Sequence, residues 1–133
     1  MIGPKRKVPG LANCPLISVV DDDEGVRESL RGLFRAVRFG VEVFASAEEF
    51  LGWHRMTATD CLVLDVRMPG MSGLDLQRLL MASHPGIRIV FITSHGDDEL
   101  RSRALRLGAV DYLLKPFSED ALLHAVQRAL GPE

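Results

Sequence analysis

Leu16-Ile17-Ser18-Val19-Val20-Asp21-Asp22-Asp23 joins a mostly apolar run to three carboxylates, and the reading of that junction decides the fold. A short apolar run bounded by polar residues reads as a strand buried on both faces, the usual state of strands in a parallel sheet. The same punctuation recurs twice: Cys61-Leu62-Val63-Leu64 runs into Asp65, and Tyr112-Leu113-Leu114 runs into Lys115-Pro116. If these strands lie parallel in one sheet, their ends share an edge, and acids and an ammonium far apart in the chain converge there. Such a convergence is a metal and phosphate site.

Outward from these junctions, apolar runs alternate with amphipathic stretches. Val26, Leu30, Leu33, Phe34 and Val37 recur at helical spacing over residues 24–38, with Arg27, Arg31, Arg35 and Arg38 mostly off the stripe, and Gly40 reads as the end of that helix. Val41 to Phe44 make a second strand, and Ser46 caps a short helix with Glu49 three residues on. Leu74, Leu76, Leu79 and Leu80 supply the buried side of a third helix ending before Pro85. Ile87 to Ile92 read as the next strand, Asp97 and Asp98 open a helix that Gly108 closes, and Val110 to Leu114 form the fifth strand. Ser118 caps the last helix, whose Leu122, Ala125, Val126, Ala129 and Leu130 face inward. Five strand-helix units predict an α/β domain over residues 15–130, a doubly wound parallel sheet with helices on both faces.

At 133 residues the chain fits one domain, and 47% hydrophobic with 26% charged residues is an ordinary globular composition. A net charge of −2 provides no basic field, so direct nucleic-acid contact by this segment is not expected. No stretch approaches the ~20 apolar residues of a membrane span and no secretory signal opens the chain, so the expectation is a cytoplasmic protein without membrane association. Cys14 and Cys61 then read as a tail thiol and a core thiol. Residues 1–14, with Pro4, Pro9 and Lys5-Arg6-Lys7, read as a flexible tail, and residues 131–133 as a terminus or the start of a linker. His54, His84 and His124 show no ligand spacing with Cys or Glu, which gives a zinc or copper site no support.

Asp21, Asp22 and Asp65 crowded at one edge would repel and lift at least one carboxyl pKa unless a cation neutralised them. Mg²⁺ prefers oxygen ligands, takes one or two protein carboxylates and keeps waters, which suits an open site that admits phosphate. A carboxylate can attack phosphorus, and phosphoryl transfer then needs mainly positioning and charge neutralisation. Taken singly, each residue has a plainer role: the Asp run as a helix cap, Asp65 as a turn residue before Pro69-Gly70, Lys115 as a solvated lysine. Their joint order at strand ends favours the site.

Val19-Val20-Asp21-Asp22-Asp23, Leu64-Asp65-Val66-Arg67-Met68-Pro69-Gly70-Met71-Ser72-Gly73, Ile92-Thr93-Ser94 and Tyr112-Leu113-Leu114-Lys115-Pro116-Phe117 resemble, in order and spacing, the receiver domain of two-component response regulators. The resemblance implies a flavodoxin-like strand order 2-1-3-4-5 and Asp65 as the phosphoacceptor. It implies Mg²⁺ as cofactor, with Asp22 and Asp65 as direct ligands, the Arg67 backbone carbonyl completing the protein's share and Asp21 acting mainly through water. Lys115 is expected to meet a phosphoryl oxygen. Thr93 would donate its hydroxyl to the phosphoryl group, Ser94 would leave that group room, and Tyr112 would fill the space Thr93 vacates. Lys115-Pro116 matches the family's cis peptide, although a trans bond with a helix-start proline fits the sequence equally well. Arg67 and His95, two residues after Asp65 and Thr93, flank the expected approach of water and are expected to set the lifetime of the acyl phosphate.

The implied function is a phosphorylation-dependent signalling switch with limited self-catalysed chemistry. Its implied partners are a sensor histidine kinase, an effector domain or downstream protein, and a second copy of itself after phosphorylation. Ile92-Thr93-Ser94-His95-Gly96-Asp97 and Gly108-Ala109-Val110-Asp111-Tyr112 resemble the subgroup often followed by a helix-turn-helix DNA-binding domain, which places a transcriptional output outside this chain. A stand-alone receiver acting through protein contacts is the alternative. An aspartate-nucleophile phosphohydrolase usually needs a second carboxylate where Arg67 stands, and a flavin or nucleotide module is disfavoured by a first loop rich in Asp rather than Gly.

Overall fold

The computed structural model describes residues 14–131. Five strands, β1 (Leu16–Val20), β2 (Gly40–Phe44), β3 (Cys61–Asp65), β4 (Arg88–Thr93) and β5 (Asp111–Leu114), alternate with α1 (Glu24–Ala36), α2 (Ala47–Leu51), α3 (Gly73–Ser83), α4 (Asp98–Arg106) and α5 (Glu119–Leu130). All pairings are parallel, in the order β2-β1-β3-β4-β5. This is the flavodoxin-like arrangement.

Side chains alternate between the two faces of a strand, so a strand covered on both faces is apolar at nearly every position, and the buried Ser18 of β1 is satisfied by a 2.7 Å hydrogen bond with the Thr59 hydroxyl. Ile17, Val19, Cys61, Val63, Val90 and Ile92 pack with Leu30 and Phe34 of α1 and Leu122, Ala125 and Val126 of α5. Val20, Leu62, Leu64, Ile89 and Phe91, the residues between them, pack with Phe50 of α2 and with Leu76 and Leu80 of α3. Phe34, Phe50 and Phe91 are completely buried, and each such side chain contributes roughly 1.5–3 kcal/mol.

Beyond one-residue shifts at the ends of β4 and β5, the structure departs from the sequence reading as follows. Helix α1 ends not at Gly40 but at Ala36, with Arg38 in the left-handed region at φ 69, while Gly40 already opens β2 opposite Leu16. The chain turns there because Phe39 donates its N–H back to the Phe34 carbonyl at 3.0 Å and stacks its ring on Phe34. On α3, Leu79 points to solvent at 40% exposure, and Gln77 takes the inward place, its amide donating to the Ala104 carbonyl of α4 at 2.9 Å. Val37 is likewise outward, at 39%. A 3-10 turn at Met56–Ala58 precedes β3 without a counterpart in the sequence pattern.

Among the described residues no helix is long and apolar enough to cross a membrane. Cys14 is exposed, Cys61 is buried, and both are free; burial pushes the Cys61 thiol up to about 12, so it behaves as a small hydrophobe. The tail expected over residues 1–14, apart from Cys14, lies outside the described residues, as do residues 132 and 133.

Candidate functional site

Strand register builds the site. Val20 pairs with Leu64 and Asp65 with Ile92, so β1, β3 and β4 end at one edge of the sheet. Asp21, Asp22 and Asp65 emerge there, each offering a carboxylate oxygen within 4.8 Å of the others. Lys115 follows β5, its own N–H bonded to the Thr93 carbonyl at 2.7 Å, and the Lys115–Pro116 peptide is cis. Its ammonium donates to Asp21 Oδ2 at 2.8 Å and stands 3.9 Å from Asp65 Oδ1.

The run of three aspartates divides its labour. Asp23 is the cap of α1, its Oδ1 accepting from the N–H groups of Gly25 at 2.7 Å and Val26 at 3.3 Å, so the plainer reading holds for this residue. Asp21 is fully buried, and its Oδ1 accepts the Asp23 N–H at 2.9 Å. Asp22 is exposed, with its carboxylate at the cluster. Three acids and one ammonium leave the edge electronegative. Asp65, only 6% exposed, is accordingly pushed up to about 6, first by burial and next by Asp21, with Lys115 pulling the other way. An all-oxygen donor set this close, holding a carboxyl that resists ionisation, could hold a divalent cation.

Thr93 is buried at the end of β4, and its Oγ1 accepts the His95 N–H at 3.1 Å. Ser94 and His95 are exposed, as is Arg67 on the loop after β3. Ser94 lines an open cleft with Lys115, Pro116 and Phe117 beside α1. Tyr112 is 5% exposed, its ring 6.0 Å from that of Phe91 on the neighbouring strand, and its hydroxyl has no hydrogen-bond partner among the described residues. Burial, and next Asp97, raises that phenol's pKa.

Two residues support the site without a role assigned from the sequence, Gly73 at the end of the quoted motif and Glu48, which lies outside every motif. Gly73 approaches the backbone of β3 so closely that a Cβ there would lie 2.2 Å from the Asp65 carbonyl oxygen, and its N–H donates to the Val66 carbonyl at 2.8 Å. Glu48 of α2 reaches across to the loop after Asp65, accepting the Met71 N–H at 3.0 Å.

The geometry has relatives. Residues 17–127 match the family described as the response regulator receiver domain. The response regulator protein TodT of Pseudomonas putida is 47% identical over 115 residues, covering 86% of this chain and 51% of TodT. The transcriptional regulatory protein FixJ of Bradyrhizobium diazoefficiens is 40% identical over 114 residues, covering 86% of this chain and 56% of FixJ. The solved structure of the response regulator StyR superposes with a TM-score of 0.80 at 52% identity, covering 88% of this chain and 59% of StyR. The chain thus spans about half the length of the curated relatives it matches. With the sheet order, the acidic edge and the family match all in agreement, this chain belongs to the receiver domains of two-component response regulators.

Proposed function

We propose that the chain is a phosphorylation-dependent switch in which Asp65 takes a phosphoryl group from a sensor histidine kinase, with Mg²⁺ held by Asp22, Asp65 and the Arg67 carbonyl and by Asp21 through water. One observation carries this reading: three carboxylates within 4.8 Å of one another meet the Lys115 ammonium at the same strand ends. Bound there, Mg²⁺ would neutralise charge on the incoming phosphoryl oxygens. An Asp65 oxygen attacks phosphorus, the P–N bond to the kinase histidine breaks, and its electron pair returns to the imidazole. Asp65 is mostly ionised at neutral pH, since its pKa lies at about 6. Lys115, already 3.9 Å from Asp65, supplies a second positive charge as the bond forms.

Thr93 Oγ1 accepts from His95, which leaves its own proton free for a phosphoryl oxygen. Movement of Thr93 toward that oxygen, with Tyr112 filling the space it vacates, would relay the charge change to the α4–β5–α5 face. Ser94, small and exposed, leaves the group room. Similarity to a response regulator and to a transcriptional regulatory protein supports a transcriptional output through an effector outside this chain; a homodimer forming on phosphorylation is part of the same proposal. Protein contacts by the receiver alone are the second route.

Incubation with a small phosphodonor and Mg²⁺ is expected to give one phosphate adduct per chain by mass spectrometry, and Asp65→Ala to give none while its circular dichroism is kept. Undiminished labelling of Asp65→Ala would move the acceptor elsewhere, and continuous phosphate release would favour a phosphohydrolase. Arg67 and His95, two residues after Asp65 and Thr93, are both exposed. Arg67→Ala and His95→Ala are each expected to change the decay rate of the adduct several-fold, and rates equal to the parent's would refute their role in its lifetime.

A further inference from the structure

The loop 66–72 carries Arg67 and joins β3 to α3. One end is closed by the Gly73 N–H on the Val66 carbonyl at 2.8 Å, and the buried Met68 side chain pins the stretch just after Arg67. Its tip meets Glu48. Glu48 Oε2 accepts the Met71 N–H at 3.0 Å, and the same oxygen lies 2.9 Å from where a Cβ on Gly70 would stand, Gly70 itself having φ +79. A backbone donor aimed out of the loop and a missing side chain next to it therefore converge on one carboxylate. Glu48 is itself held steady, because Ala47 and Phe50 of the same short helix are completely buried.

We propose that Glu48 is a positioning residue for the phosphoacceptor site, latching the loop so that the Arg67 carbonyl keeps its place beside Asp65. The inference rests on the reading of Asp65 and the Arg67 carbonyl as groups of a divalent-ion site. Arg67 is exposed and its side chain makes no hydrogen bond or ion pair among the described residues, which leaves the backbone of its loop to fix the carbonyl. A hydrogen bond from a backbone N–H to a carboxylate is stronger and more directional than a neutral one. An ion that demands near-octahedral oxygen geometry tolerates little slack in any one ligand, so an outer support of this kind shows in affinity.

The test uses the whole chain with Glu48→Ala and Glu48→Gln, the second retaining an oxygen acceptor. Three quantities are read: amide exchange at Met71 in the metal-free protein, Mg²⁺ affinity by NMR titration, and labelling by a small phosphodonor. Glu48→Ala is expected to speed exchange at Met71 and to weaken Mg²⁺ binding by about tenfold, with its thermal midpoint near the parent's. Glu48→Gln is expected to fall between Glu48→Ala and the parent, because a neutral hydrogen bond persists. A Glu48→Ala protein with parental Mg²⁺ affinity overturns the latch while the labelled parent keeps Asp65 as acceptor. Glu48→Gln as weak as Glu48→Ala overturns it too, assigning the effect to charge. A parent that neither binds Mg²⁺ nor accepts phosphate overturns the site and the latch together.

Discussion

Gly73→Ala is expected to destabilise the protein by about 2–3 kcal/mol and to slow labelling of Asp65 by about tenfold, although alanine in a helix is ordinarily the better residue by up to ~1 kcal/mol. The added Cβ would fall 2.2 Å from the Asp65 carbonyl oxygen and 3.1 Å from Val66 Cα. Both neighbours are backbone, so no side chain can swing aside. Relief requires either α3 to retreat, which strips Leu74 and Leu76 from the core, or the end of β3 to shift, which carries the Asp65 carboxylate with it. Gly32, inside α1, is the control, because a Cβ there meets nothing within 4 Å. Gly32→Ala is accordingly expected to match or exceed the parent in urea unfolding. A Gly73→Ala protein as stable and as readily labelled as the parent would mean that the loop relaxes without moving the acceptor.

What the sequence made legible follows from where its physics is one-dimensional. Strands covered on both faces show as largely apolar runs, broken in β1 only by Ser18, so β1 and β3 are readable, and the acidic or basic residue that ends each run marks the sheet edge. Asp21, Asp22, Asp65 and Lys115 stand at those marks, which is why they could be gathered before any coordinates placed them within 4.8 Å and 3.9 Å of one another. Other features depend on angles between elements. Leu79 and Gln77 exchange their expected environments because a buried carbonyl of α4 rewards an amide on α3, and α4 cannot be seen from the α3 sequence. Arg38, rather than Gly40, takes the left-handed turn because the Phe39 ring finds Phe34, a packing preference that outweighs the strain of a positive φ. Glu48 gave no signal because a glutamate in the first turn of a helix already suits the helix dipole, and its bond to Met71 spans two elements.

In metal-free protein, Asp65→Asn is expected to be more stable than the parent by about 1–2 kcal/mol at neutral pH and equal to it in acid. The Asp65 carboxyl is raised from 3.8 to about 6 by burial and then by Asp21. Between those two values the folded chain holds more protons than the unfolded chain, so this group lowers stability as pH rises through that window, and its penalty is complete above it. A displacement of that size would be worth roughly 3 kcal/mol in full; water entering beside the exposed Asp22 screens part of it. Asparagine keeps the shape and removes the charge, so the variant loses this slope. Mg²⁺ should reverse the order, stabilising the parent by mass action and the variant far less. Urea unfolding at a series of pH values, with and without Mg²⁺, reads both effects. A metal-free variant no more stable than the parent at neutral pH would show that neither burial nor the neighbouring acids penalise this carboxylate, and the pull on a cation at this site would then need another source.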